Sequence, residues 1–195
     1  MLSEIRPAIV STILFTLLLG LGYPLAITGV SKLVFPWQAG GSLIRDKSGQ
    51  VVGSALIGQG FAKPDYLHPR PSAAGNGYDA SNSSGSNYGP LNSDLAKRIK
   101  ADAAALRAST GHQDIPDDAI TTSGSGLDPD ISPAYALLQV DRVAKARGVS
   151  ADAVRSVISG DVQQPFLGFI GQPRVNVLKT NLDLDGALTK AHAKS

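Results

Sequence analysis

The sequence predicts an α+β protein: a single N-terminal transmembrane helix followed by a small mixed α+β soluble domain. Three observations lead there. A charge-free apolar run fills residues 7–31, the composition turns polar and turn-rich after it, and the remainder mixes short β-like runs with capped helical periods. The chain divides accordingly into a short tail at 1–6, a transmembrane helix at 7–31 and a soluble domain at 35–195.

The span comes first. Between Arg6 and Lys32 there is no charged residue, and Pro7–Ser31 is 25 residues long. As a helix rising ~1.5 Å per residue it reaches roughly 37 Å, more than the ~30 Å hydrocarbon core of a bilayer. Pro7 suits a first helical turn, where its missing N–H costs nothing. Lys32, Phe35 and Trp37 fall where an interfacial belt belongs. A cleaved signal peptide is the rival, with Ala26-Ile27-Thr28 as its small-residue site. The run is longer than an ordinary signal core of about 7–15 residues, so an uncleaved anchor is expected.

Ala8, Thr12, Thr16, Gly20, Pro24 and Thr28 recur every fourth residue. Steps of four drift only ~40° around a regular helix, so consecutive members share a slowly winding face. Small groups on one face allow close approach of a neighbouring helix in lipid. Thr12, Thr16, Gly20 and Pro24 are therefore the expected packing face of the span. Pro24 is expected to kink it and to leave a carbonyl in need of a partner. The flanking charges, Arg6 and Glu4 on one side and Lys32, Arg45 and Lys47 on the other, do not set the orientation.

Beyond the span, Ser42–Arg45 and Gln50–Ile57 read as two strands around a polar turn at Asp46–Gly49. Ala62–Pro90, rich in Gly, Ser, Asn and Pro, reads as a long irregular excursion and a candidate for contact with a partner. A helix follows from an Asn92 or Ser93 cap, with apolar positions at Leu95, Ile99, Ala103 and Leu106. Asp117–Thr122 is a short link or strand. Ser132 caps a helix at Pro133–Arg147 stopped by Gly148, and Ser150 caps a short helix at Ala151–Ser159. Arg174–Leu178 reads as a strand and Asp183–Ala193 as a terminal helix.

Composition narrows the function. The net charge of +2 and the lack of a basic cluster with interleaved aromatics argue against a nucleic-acid partner. With no cysteine, there is no disulfide framework and no thiolate metal site.

Eight short stretches stand in a characteristic order: Arg6–Ala8, Tyr23–Leu25, Phe35–Ile44, Gly53–Gln59, His68–Ser72, Ser125–Pro133, Arg142–Arg147 and Ile170–Asn176. Together they resemble, from end to end, the C subunit of the Kdp-type potassium-transporting ATPase. The resemblance implies a bacterial inner-membrane complex that pumps potassium inward at the expense of ATP. Its partners there are a channel-like, potassium-binding subunit and an ATP-hydrolysing subunit, which handle potassium and ATP; the C subunit has no cofactor of its own. It further implies one span with a cytoplasmic N-terminus, a domain outside the cytoplasm, a part in assembly, and a proposed role as a catalytic chaperone raising the ATP affinity of the hydrolysing subunit. Asn76–Tyr88 departs most from the family pattern. The competing class is an independent membrane-anchored exported domain that binds a ligand or acts as a hydrolase.

No stretch calls for catalysis by this chain. Asp46-Lys47-Ser48-Gly49 imitates the phosphorylated motif of P-type ATPases, but that chemistry needs a large α/β domain, and the composition is that of a turn. Gly20-Leu21-Gly22-Tyr23 imitates a potassium filter, yet it sits inside a continuous apolar run. Ser83–Asn87 is a degenerate match to an ABC-type signature, without any Walker loop. Asp128-x-Asp130-x-Ser132 lacks the Gly and the distant Glu of a calcium loop and reads as a helix start, with both carboxylates near the dipole. His68, His112 and His192 match no zinc spacing. Catalytic and metal residues are thus expected to be none, and cofactor-binding residues stay unassigned.

Overall fold

In a computed structural model, residues 2–46 and 48–192 are described. The chain forms two compact units, residues 1–52 and 53–195.

The first unit is built on one long helix, Ile5–Val34. It extends beyond 7–31 at both ends, and every residue from Ser3 to Gly29 is exposed within the unit. A 3-10 turn at Leu2–Glu4 leads into α1 (Ile5–Leu17); a π-helical turn at Leu18–Gly22 leads into α2 (Tyr23–Val34). The irregularity that Pro24 requires therefore takes the form of a wide turn just before it. There the Tyr23 N–H donates to the Leu18 carbonyl, a five-residue step that bypasses the amide proline lacks.

A short α3 (Pro36–Ala39) and the hairpin β1 (Leu43–Arg45) and β2 (Val51–Ser54) follow. The Trp37 indole N–H donates to the Leu43 carbonyl at 3.1 Å, fixing the turn out of the helix. The Asp46 carboxylate accepts from the Ser48 N–H at 2.8 Å, the Ser48 hydroxyl at 2.6 Å and the Gln50 N–H at 3.0 Å. This is a side-chain-closed turn, as its composition predicts; Lys47 lies outside the described residues.

Among its described residues the second unit holds five α-helices and a two-stranded sheet: α4 (Ser93–Thr110), α5 (Pro133–Leu138), α6 (Val140–Arg147), α7 (Ala151–Gly160), α8 (Val177–His192), β3 (Asp130–Ile131) and β4 (Val175–Asn176). The strands pair antiparallel, Asp130 opposite Asn176 and Ile131 opposite Val175. The core is Leu67, Ile131, Tyr135, Ala136, Val140, Val143, Ala144, Val154, Ile158, Val175, Val177 and Leu184, all buried. Val140, Val143 and Ala144 lie on one face of α6, and Val154 and Ile158 on one face of α7, at the spacing that puts residues on a shared helix face.

The caps form where the sequence places them. Asn92 Oδ1 accepts from the Asp94 N–H at 2.7 Å, Ser132 Oγ from the Tyr135 N–H at 3.0 Å, and Ser150 Oγ from the Ala153 N–H at 3.2 Å. Gly148 closes α6 at φ 66°, a conformation that suits glycine.

Several expectations change. Asp117–Thr122 is not a strand but a 3-10 turn at Asp117–Ala119. The helix expected over Pro133–Arg147 is interrupted at Gln139, which separates α5 from α6. The strand at Arg174–Leu178 shrinks to two residues. The terminal helix starts at Val177, because Asn176 Oδ1 accepts the Lys179 N–H at 3.1 Å and caps it. Finally, Ala62–Pro90 has no helix or strand, as expected, yet it is not loose: Leu67 and Ala74 are completely buried.

Candidate functional site

Residues 63–66 form a turn and 67–72 run on outside any helix or strand, so most of their backbone groups need side chains to satisfy them. Two helices and the α5–α6 break supply these. Asn181, buried on α8, accepts from the Leu67 N–H at 2.7 Å and donates to the Leu67 carbonyl at 3.0 Å. Gln139, buried at the α5–α6 break, does the same for His68, at 2.7 and 3.0 Å. Arg142 donates to the Pro64 carbonyl at 2.7 Å and the Tyr66 carbonyl at 3.0 Å. Arg147 donates to the Asp65 carbonyl at 2.6 Å, stacks over the Tyr66 ring at 5.1 Å and pairs with Asp185 at 2.9 Å.

The next residues turn the other way. Arg70 pairs with Asp128 at 3.0 Å. Ser72 donates to the Gly126 carbonyl at 2.6 Å and accepts from the Tyr78 N–H at 2.9 Å, while the Tyr78 hydroxyl donates to the Arg70 carbonyl. Burial holds the phenols of Tyr78 and Tyr135 well above their ordinary range, Tyr135 up to about 12, so both stay protonated donors at neutral pH.

A cleft of about 810 Å³ opens beside this strap, lined among others by Pro64, His68, Leu106, Leu138, Arg142 and Lys145. It has the size of a small-molecule site. Several of its polar groups are already engaged: Arg142 on carbonyls, Gln139 on His68, and His68 Nε2 on the Lys63 carbonyl at 3.0 Å. Burial, and then the like charge of Arg142, push the His68 imidazole below its ordinary pKa, which keeps it neutral.

The other stretches weighed from sequence fall into structural roles. Asp130 pairs with Arg174 at 3.0 Å and accepts from Asn176 at 3.1 Å, and Ser132 is held by Asp118 at 2.6 and 2.9 Å. Asp128 and Asp130 thus serve ion pairs. In Ser83–Asn87, the Ser84 N–H and the Ser83 hydroxyl both donate to the Ser125 carbonyl at 2.9 Å, and Gly85 lies against the Gly124 backbone. His68 lines the cleft and His112 a recess with Asp114 and Leu138; the His192 side chain lies outside the described residues. Thr12, Thr16, Gly20 and Pro24 belong to the long helix, the first two in α1, Gly20 in the wide turn and Pro24 in α2. Among the described residues, no group of three or more His, Cys, Asp and Glu is placed to hold a metal ion.

Gln139 and Asn181 escaped the sequence reading, although each leaves a trace there. Asn181 stands three residues from both Leu178 and Leu184, and Gln139 three from Ala136, so each is a polar residue on an apolar helix stripe.

The five characteristic stretches of the second unit are thus joined, directly or through the strap. Gly58 adds a bond from its N–H to the Leu127 carbonyl at 2.7 Å, and Asn176 one to the Ala55 carbonyl at 3.0 Å. The family model of KdpC, the K+-transporting ATPase c chain, matches residues 5–186, nearly the whole length. The chain belongs to the KdpC family. The potassium-transporting ATPase KdpC subunit of Caulobacter vibrioides is 68% identical over 185 residues, spanning 95% of this chain and 94% of that one. Those of Beijerinckia indica and Rhodopseudomonas palustris are 62% and 51% identical, again over 94% or more of each chain. KdpC membership makes this chain a subunit of a potassium-transporting ATPase. Some of the stretches that carry the resemblance help to hold the strap: Arg142 and Arg147 bind its carbonyls, and Asp128 pairs with its Arg70.

Proposed function

We propose that this chain is the non-catalytic accessory subunit of an ATP-driven potassium uptake complex in the bacterial inner membrane. The helix Ile5–Val34 is long and apolar enough to span. In this reading the N-terminus is cytoplasmic, the domain lies outside, and the partners are a potassium-binding channel-like subunit and an ATP-hydrolysing subunit. ATP and potassium are handled by those partners, and this chain needs no cofactor of its own.

One observation carries the reading. The polar side chains of the family stretches, Arg70, Asp128, Arg142, Arg147 and Asn176 among them, are spent on internal backbone groups and ion pairs. Such an arrangement builds a shaped surface for assembly. A domain outside the cytoplasm cannot touch cytosolic ATP, so a chaperone effect has to travel as coupling. By binding one conformation of the pump better, the subunit shifts the pump's affinity for nucleotide, typically by ~5–150-fold.

The test is ATP hydrolysis by the reconstituted complex with and without the subunit, at varied ATP. A raised KM for ATP without it supports the chaperone role. Hydrolysis by the purified subunit alone, abolished by Asp46→Asn, would overturn the non-catalytic reading. A cysteine placed at Ser86 should be labelled by an impermeant maleimide in intact spheroplasts; labelling only after lysis would put the domain in the cytoplasm.

A further inference from the structure

Between Asp161 and Arg174 no residue is charged, and this stretch folds as a hairpin bridged at Gln163–Arg174 and Phe166–Ile170. At its tip Phe166, Leu167, Phe169 and Ile170 are 70, 69, 76 and 52% exposed. Elsewhere in residues 53–195 the exposed large apolar residues are Leu56, Ile57, Tyr88, Leu91 and Leu137, spread along the chain. Scattered apolar residues are ordinary on a surface, but four on one projection are not.

The backbone of the tip closes on itself. The Phe166 and Ile170 N–H groups donate to each other's carbonyls at 3.0 and 2.9 Å. Gly168 donates to Pro165 at 3.0 Å and Phe169 to Phe166 at 3.3 Å. Leu167 takes the left-handed conformation at φ 54° to make the reversal. The result is a knob that is oily outside and carries four internal backbone bonds, which lowers the cost of bringing its backbone into the interface. Arg174 at its base is engaged by Asp130 at 3.0 Å, so attraction to anionic headgroups is not what it offers.

We propose that the Phe166–Ile170 tip inserts into the interface of the bilayer that the chain's own N-terminal helix spans, binding neutral lipid. The inference rests on the reading of Ile5–Val34 as a span. The stretch between Val34 and Gly53 reaches at most about 60 Å, and a unit of this size has a radius of gyration of about 15 Å, so the tether keeps every part of the unit within reach of the bilayer. Tethering makes the insertion intramolecular, so four side chains suffice without high affinity.

The chain has no cysteine, which allows single-site labelling. Full-length protein carrying Leu167→Cys, Leu14→Cys or Asp152→Cys is labelled with an environment-sensitive fluorophore. It is reconstituted into phosphatidylcholine vesicles with brominated acyl chains. Quenching is expected at positions 167 and 14 but not at 152, on the exposed face of α7. Phe166→Ser and Phe169→Ser should each lower the inserted-to-free ratio at position 167 about tenfold. Quenching at 14 without quenching at 167 overturns the proposal and leaves the span intact; no quenching at either overturns both. A label at 167 that is unquenched by lipid, but shielded from a soluble quencher once the other subunits are added, overturns it in favour of a protein groove.

Discussion

Asn181 does for Leu67 what a neighbouring strand would do, supplying one acceptor and one donor to a fully buried backbone. Replacing it by Leu keeps the volume but strands both groups, each costing about 1–3 kcal/mol when unpaired. Asn181→Leu is expected to lower unfolding stability by about 3 kcal/mol in urea titration. The exposed Asp152–Arg155 pair at 2.7 Å is the control: Asp152→Ala should change stability by less than about 0.5 kcal/mol. His68 sets a pH dependence. Its folded pKa lies below the ordinary 6.5, so near that value the unfolded chain binds more protons than the folded one. The neutral-ring stability is complete above pH 6.5 and is lost as pH falls from there through the folded pKa. Unfolding followed from pH 7.5 down to pH 5 should show this loss, and His68→Gln should flatten it.

At the scale of elements, the wide turn at Leu18–Gly22 changes what the four-residue stripe does. In an α-helix a step of four overshoots one revolution; in a turn that closes on the fifth residue it falls short. The drift is therefore partly undone between Thr16 and Pro24, and the stripe is straighter than regular geometry predicts. A side chain at Gly20 would meet only Thr16 Cγ2, at 3.9 Å, within its own helix. Gly20→Leu should thus leave the helix intact while blocking a neighbour's approach. It is expected to cut the yield of complex in mild detergent, whereas Leu19→Ile does not; equal yields would remove the packing face.

For the whole molecule, the buried core and the strap belong to residues beyond Gly53. A chain shortened to residues 53–195 is expected to keep its helical circular dichroism and to melt in one cooperative transition. Deleting Gly75–Gly85 tests the excursion differently from how its composition suggests. That stretch contains the Asp79 turn, with bonds at 2.9 and 2.6 Å to Ser81, and the Ser84–Ser125 link. The deletion should lower the melting temperature as well as impair the complex; unchanged melting would leave the stretch as contact surface alone.

The sequence by itself determined the α+β class, the long apolar helix, the caps at Asn92, Ser132 and Ser150, and the family, because these are local or ordered signals along one chain. A cap is written by a residue and the three that follow it, and a span by an unbroken run. It did not show that Gln139 breaks a helix, that Asn176 ends a strand to start one, or that an excursion rich in Gly, Ser and Asn buries Leu67. Those outcomes depend on pairings far apart in sequence, such as Asn181 with Leu67 and Gln139 with His68. Only the tertiary structure decided them, since an irregular backbone can be buried only where distant side chains arrive to satisfy its N–H and C=O groups.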